Sequence, residues 1–129
     1  MNVRNVLAIG GLAAALVVST GVAAWADGSP TMCGFKGGDP VHGDVIFHQT
    51  CAACHGDDGR GKVPGTPDFT AKGGVLSLPH ADLTDHIQNG FSEPGKPLAM
   101  PARGGNPNLT DQDIKDVHAY LHKAFGCGK

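Results

Sequence analysis

Cys51-Ala52-Ala53-Cys54-His55 is the stretch whose reading decides the fold. Two thiols three positions apart, followed at once by an imidazole, form the pattern through which a c-type haem is attached. Each sulfur adds to one haem vinyl group, and the adjacent histidine is held close enough to the iron to supply its proximal ligand. A thioredoxin-like dithiol would want a strand–helix–strand context. A zinc site would want a second C-x-x-C or a spaced histidine pair. Here the motif follows a helical segment and precedes a loop rich in Gly and Pro, and Cys33 and Cys127 stand alone.

The residues before the motif fall into two parts. Arg4 supplies a short positive region, Val6 to Ala24 is apolar, and Ala24-Trp25-Ala26 has the A-x-A form of a cleavage site. Residues 1–26 therefore read as a signal peptide. The apolar run also approaches the ~20 residues that span a bilayer, so an uncleaved anchor is the alternative. Residues 27–129 hold one small domain. Without Arg4, nine Lys/Arg face twelve Asp/Glu, and no basic cluster suggests nucleic acid as a partner. A membrane is a partner only if the leader is retained. In an oxidising compartment Cys33 and Cys127 are expected to pair, which would close nearly the whole domain and add ~4–5 kcal/mol in the chain-entropy model. Free thiols or an intermolecular bond are the alternatives.

Apolar spacing predicts a helix over 39–50, with Asp39 as cap and Pro40 in the first turn. A second helix is predicted over 77–89, with Leu78, Leu83 and Ile87 on its apolar side and Gly90 just past its end. Thr110-x-x-Asp113 resembles a capping box that opens a third, whose stripe is Ile114, Val117, Leu121, Ala124 and Phe125. Residues 56–74 and 91–108 read as irregular, and no strand or repeat is evident. A loop as long as 56–74 suits a small domain only if something else supplies core. With so few aromatic residues, a buried haem is the natural supplier.

Met100 is the best candidate for the iron's sixth ligand. It sits in Pro97-Leu98-Ala99-Met100-Pro101, a stiff segment able to present a thioether, and Pro101 biases it towards extended backbone. A gap-filling core methionine is the plainer role. His42, His48, His80, His86, His118 and His122 are rivals for bis-histidine ligation. His118 and His122 are four apart, a spacing that can bind metal. No third ligand of clear identity lies nearby, so they are expected to be solvated or packed at an edge. Arg103 is read either as a partner of a haem propionate or as a solvated arginine. Pro64 or Pro67 could offer a carbonyl to the His55 Nδ1–H.

These residues together resemble a monohaem class I cytochrome c of the bacterial periplasmic type. Gly43-Asp44-Val45-Ile46-Phe47 is similar to that family's first helix, and Cys51 to Gly56 to its attachment site. Ile87-Gln88-Asn89-Gly90 with Met100-Pro101 resembles its distal-ligand region. Leu109-Thr110 and Val117-x-x-Tyr120-Leu121 resemble its C-terminal helix. The resemblance implies an all-α cytochrome c fold, three to four short helices wrapped around one covalent haem c, with first and last helices crossing near Phe47 and Tyr120. It implies a one-electron carrier rather than an enzyme, working outside the cytoplasm. Its partners would be an exported dehydrogenase or a membrane complex as donor and an oxidase or reductase as acceptor. A dedicated subunit of a larger oxidoreductase is the second reading. A haem enzyme or gas sensor, which needs an open sixth position, is the third.

Overall fold

The structure, a computed structural model, describes residues 35–126. The leader and both Cys33 and Cys127 lie outside the described residues.

Helix α1, Pro40–Ile46, begins as its sequence dictates. Asp39 holds extended backbone and accepts a hydrogen bond from the Val41 N–H at 2.8 Å, and Pro40 occupies the first turn. The helical path does not stop at Thr50. It widens into a π-helical turn at Phe47–Cys51 and continues as α2, Ala52–His55. Such turns recur at functional sites, since the extra residue shifts which way the following side chains face. Gly56, at φ 76°, then ends the helix. The chain folds back so that Gly61 N–H donates to the His55 carbonyl and Lys62 N–H to the Cys54 carbonyl, both at 2.8 Å. The loop thereby satisfies carbonyls that a helix end leaves unpaired.

Helix α3 spans His80–Asn89, three residues later than its apolar pattern suggests. The cause is Pro79. It holds Leu78 in extended backbone (ψ 155°), so the 3₁₀ turn at Val75–Ser77 cannot run on into the helix. Leu83 and Ile87 are buried and Leu78 only half-buried. The segment after Gly90 is irregular except at one place. Phe91 and Met100 exchange both backbone hydrogen bonds, at 3.0 and 2.8 Å, and pin the loop between them at its base. Among the described residues there is no longer strand pairing.

Helix α4, Asp111–Leu121, opens with a complete capping box. Asp113 N–H donates to Thr110 Oγ1, and Thr110 N–H donates back to the Asp113 carboxylate at 2.7 Å. A second π-helical turn follows at His122–Gly126 and buries Phe125. Helices α1 and α4 cross so tightly that a Cβ on Gly43 would overlap the Asp116 carbonyl. Phe47, fully buried, packs there with its ring 5.2 Å from that of Tyr120 and 5.7 Å from that of Phe125.

Asp116 fastens the same crossing from the polar side. Burial alone would raise its pKa. The bonds it accepts from the Asp39 N–H, His42 and Gln112 outweigh that and hold it below the usual carboxylate range. His42 is raised in turn, chiefly by its hydrogen bond to Asp116. A raised histidine stabilises the fold fully below its unfolded value near 6.5, and the contribution is lost as pH rises through the folded pKa. We therefore expect the melting temperature gap between the wild type and His42→Gln to be widest near about pH 5.5 and to shrink towards about pH 8.5. A gap that does not change over that range would remove His42 from the pairing.

Candidate haem site

Between α2, α3, α4 and the 91–101 segment lies a cavity of about 640 Å³. Close-packed interiors of small domains do not leave voids of this size, whereas ligand sites commonly do. Cys51, Cys54, His55 and Met100 all line it, together with apolar walls that include Leu83 and Leu121. The four side chains predicted from sequence thus meet at one place, although Met100 is far along the chain from the motif.

His55 is buried, and its ring lies flat against Phe69, with centroids 4.5 Å apart and planes 12° from parallel. Burial pushes its pKa down to about 4, so the imidazole is neutral at pH 7 and keeps a lone pair for a metal. Its Nδ1 is buried without a hydrogen-bond partner. Neither Pro64 nor Pro67 supplies the expected carbonyl, and the ring lies instead against Phe69. Thr66 Oγ1, of a residue on the same cavity wall, is the other buried side-chain polar atom without a partner among the described residues. Sequence reading gave no reason to single it out, and its only signal is that it lies in the loop after the motif.

Burial pushes the Cys51 thiol up to about 11, with the neighbouring Cys54 adding to the effect. A redox dithiol or a thiolate metal ligand needs the opposite shift. A thioether, which carries no charge, has nothing to lose in this position.

Arg103 does not line the cavity. Its guanidinium donates to the Leu109 carbonyl and to Asp111 Oδ1, the latter at 2.7 Å, and so ties the Met100 segment to the start of α4. Of the six rival histidines, only His86 reaches the cavity, where it packs on Phe91 with ring centroids 4.1 Å apart.

Residues 38–121 match the family described as "Cytochrome C oxidase, cbb3-type, subunit III". The chain belongs to this family of c-type cytochromes.

Curated relatives agree. The cytochrome is 36% identical over 95 residues to the Cbb3-type cytochrome c oxidase subunit FixP of Bradyrhizobium diazoefficiens, covering 73% of this chain and 30% of that one. It is 34% identical to the CcoP subunit of Rhodobacter capsulatus, covering 65% of this chain and 29% of that one. The cytochrome thus spans less than a third of the length of these oxidase subunits. With cytochrome c-555 of Prosthecochloris aestuarii it shares 32% identity, over 64% of this chain and 85% of that one. Among solved structures, the c-type cytochrome XoxG of Methylobacterium extorquens AM1 superposes with a TM-score of 0.52 at 27% identity, covering 67% of this chain and 51% of that one.

The cofactor of the cytochrome is therefore haem c, and the fold is the all-α cytochrome c fold. The residues present fit that group. The cavity is large and mostly apolar, both thiols stand on its wall, and the neutral imidazole of His55 lines it. No helix among the described residues is long and apolar enough to cross a membrane.

Proposed function

We propose that the cytochrome is a one-electron carrier in which Cys51 and Cys54 tether the haem and His55 and Met100 are the axial ligands of its iron. The carrying observation is that these four side chains line one cavity. Haem supplies a one-electron Fe(II)/Fe(III) couple. The chain's own residues do the rest. Phe69 fixes the His55 ring. The Phe91 pairing fixes the backbone of Met100. Leu83, Ile87, Val117 and Leu121 keep water from the wall. A neutral sulfur ligand favours the reduced state more than a second imidazole would, which raises the potential.

With both axial positions filled, no place is left for a substrate or a gas, which disfavours the enzyme and sensor readings. Phe91 and Leu98 line the cavity mouth while remaining 45% exposed, with Glu93 and Lys96 beside them. An apolar rim of this kind suits a weak, transient docking surface. The partners would be an exported dehydrogenase or membrane complex as donor and an oxidase or reductase as acceptor. On this reading residues 27–129 would form a domain outside the cytoplasm, with residues 1–26 as signal or anchor, and Cys33 would be bonded to Cys127. The likeness to oxidase subunits supports a second reading, a cytochrome subunit held in a larger oxidoreductase.

Voltammetry with carbon monoxide addition tests the site. A reversible one-electron wave and a reduced protein that binds no carbon monoxide are expected, and ready carbon monoxide binding would overturn the closed site. Native mass measurement separates free carrier from subunit.

A further inference from the structure

His118 and His122 are not at a solvated edge. They are 0% and 3% exposed, and α3 brings a third histidine, His80, against them. None of the three lines the haem cavity. Val117 and Leu121 do, so α4 turns one face to the cavity and the neighbouring face to this cluster.

The geometry is that of donors gathered around a point. His118 Nε2 lies 3.2 Å from His80 Nδ1 and 3.1 Å from His122 Nε2, and all three nitrogens fall within 4.8 Å of one another. Three nitrogens held ~2.0–2.1 Å from one tetrahedral Zn²⁺ are ~3.4 Å apart. The other nitrogen of His118, Nδ1, is 2.9 Å from Thr84 Oγ1. With Nδ1–H donating to Thr84, the tautomer is set and the Nε2 lone pair faces the other two rings.

Hydrogen bonding alone leaves this arrangement over-subscribed. A neutral imidazole has one N–H and one in-plane lone pair, so Nε2 of His118 cannot make a good bond to both neighbours. Protonation is no remedy. Burial, with His122 and His80 adding to it, pushes the His118 pKa down to about 3, and burial likewise lowers that of His122. Phe35 stacks on the His118 ring at 3.8 Å and shields it, while His80 is only half-buried and leaves a way in.

We propose that His80, His118 and His122 form a second metal site, separate from the haem, that binds one divalent transition cation of the zinc type and cross-links α3 to the end of α4. Three imidazoles suit such an ion, which would take a water or an incoming ligand in its fourth position.

The test uses tag-free, haem-loaded protein stripped with EDTA and titrated with Zn²⁺ by calorimetry. One saturable equivalent is expected. His80→Gln should weaken it by about tenfold or more. His80 is partly exposed, so this variant should fold, as an unchanged haem spectrum would show. His42→Gln removes a ligand from the rival group of His42, Asp113 and Asp116 and should leave the zinc affinity unchanged. X-ray absorption at the zinc edge, distinct from the iron edge, should find three nitrogens at ~2.0–2.1 Å. No saturable binding in the wild type, or equal affinity in His80→Gln, would overturn the site.

Discussion

Met100→Ala is expected to abolish the long-wavelength charge-transfer absorption that a thioether on ferric haem produces. It should also lower the reduction potential by on the order of 0.1 V, a modest part of the ~0.8 V that axial ligands span, and let the reduced protein bind carbon monoxide. The substitution should spare the fold. Met100 is anchored by its backbone, through both hydrogen bonds to Phe91, and by Pro101 after it. Gly90 admits that backbone, since a Cβ there would stand 2.7 Å from the Met100 carbonyl oxygen. The alanine variant keeps all of this and loses only the sulfur. His86→Gln is the companion experiment, because His86 is the one rival histidine on the cavity wall. If the wild type lacks the band, and His86→Gln rather than Met100→Ala lets the reduced protein bind carbon monoxide, the ligand is the histidine and the site is bis-imidazole.

That Met100 could be picked from the sequence, and the device that holds it could not, reflects what kind of information each needs. The attachment motif, the Asp39 cap and the Thr110 capping box are local, so neighbouring residue types announce them. Met100 is announced by its flanking prolines. The Phe91–Met100 pairing joins two irregular stretches with no alternating pattern to reveal it. Pro79 was legible, and its effect on Leu78 follows from the ring alone, but the apolar periodicity ran through it and masked the true start of α3. The π-helical turn at Phe47–Cys51 has no residue signature, because an inserted residue is accommodated by the packing of Phe47 rather than by propensity. The histidine cluster shows the limit most clearly. The four-residue spacing of His118 and His122 was visible, but His80 lies 38 positions before His118 and only the packing of α3 on α4 joins them. Arg103 has a different explanation: its partners Leu109 and Asp111 are close in sequence, yet the left-handed turn at Arg103 (φ 53°) that aims it at them is not an arginine preference.

Gly43→Val should destabilise the haem-loaded protein by about 3 kcal/mol or more. The sign is the informative part. In an exposed helix interior, replacing glycine by alanine gains about 0.5–1 kcal/mol through backbone entropy. Gly43 is buried where α1 crosses α4, and a Cβ there would overlap the Asp116 carbonyl and stand 2.9 Å from the Tyr120 Cβ. The first obstacle is backbone in the middle of a helix and cannot rotate away. The helices must therefore separate, and separation strips contacts from Phe47, Ile114 and Val117, which the crossing keeps almost wholly out of water. It also pulls Asp116 from the Asp39 N–H and from His42. Because α1 leads directly into Cys51, the displacement should reach the attachment site and reduce the yield of haem-loaded protein. Guanidinium unfolding, followed by helical circular dichroism, measures the first effect, and the ratio of Soret absorbance to protein measures the second. Gly43→Ala should already lose stability in the same direction. If alanine instead stabilises the protein by the amount expected of an open helix position, the close approach of α1 to α4 is not what holds the first helix, and with it the haem, in place.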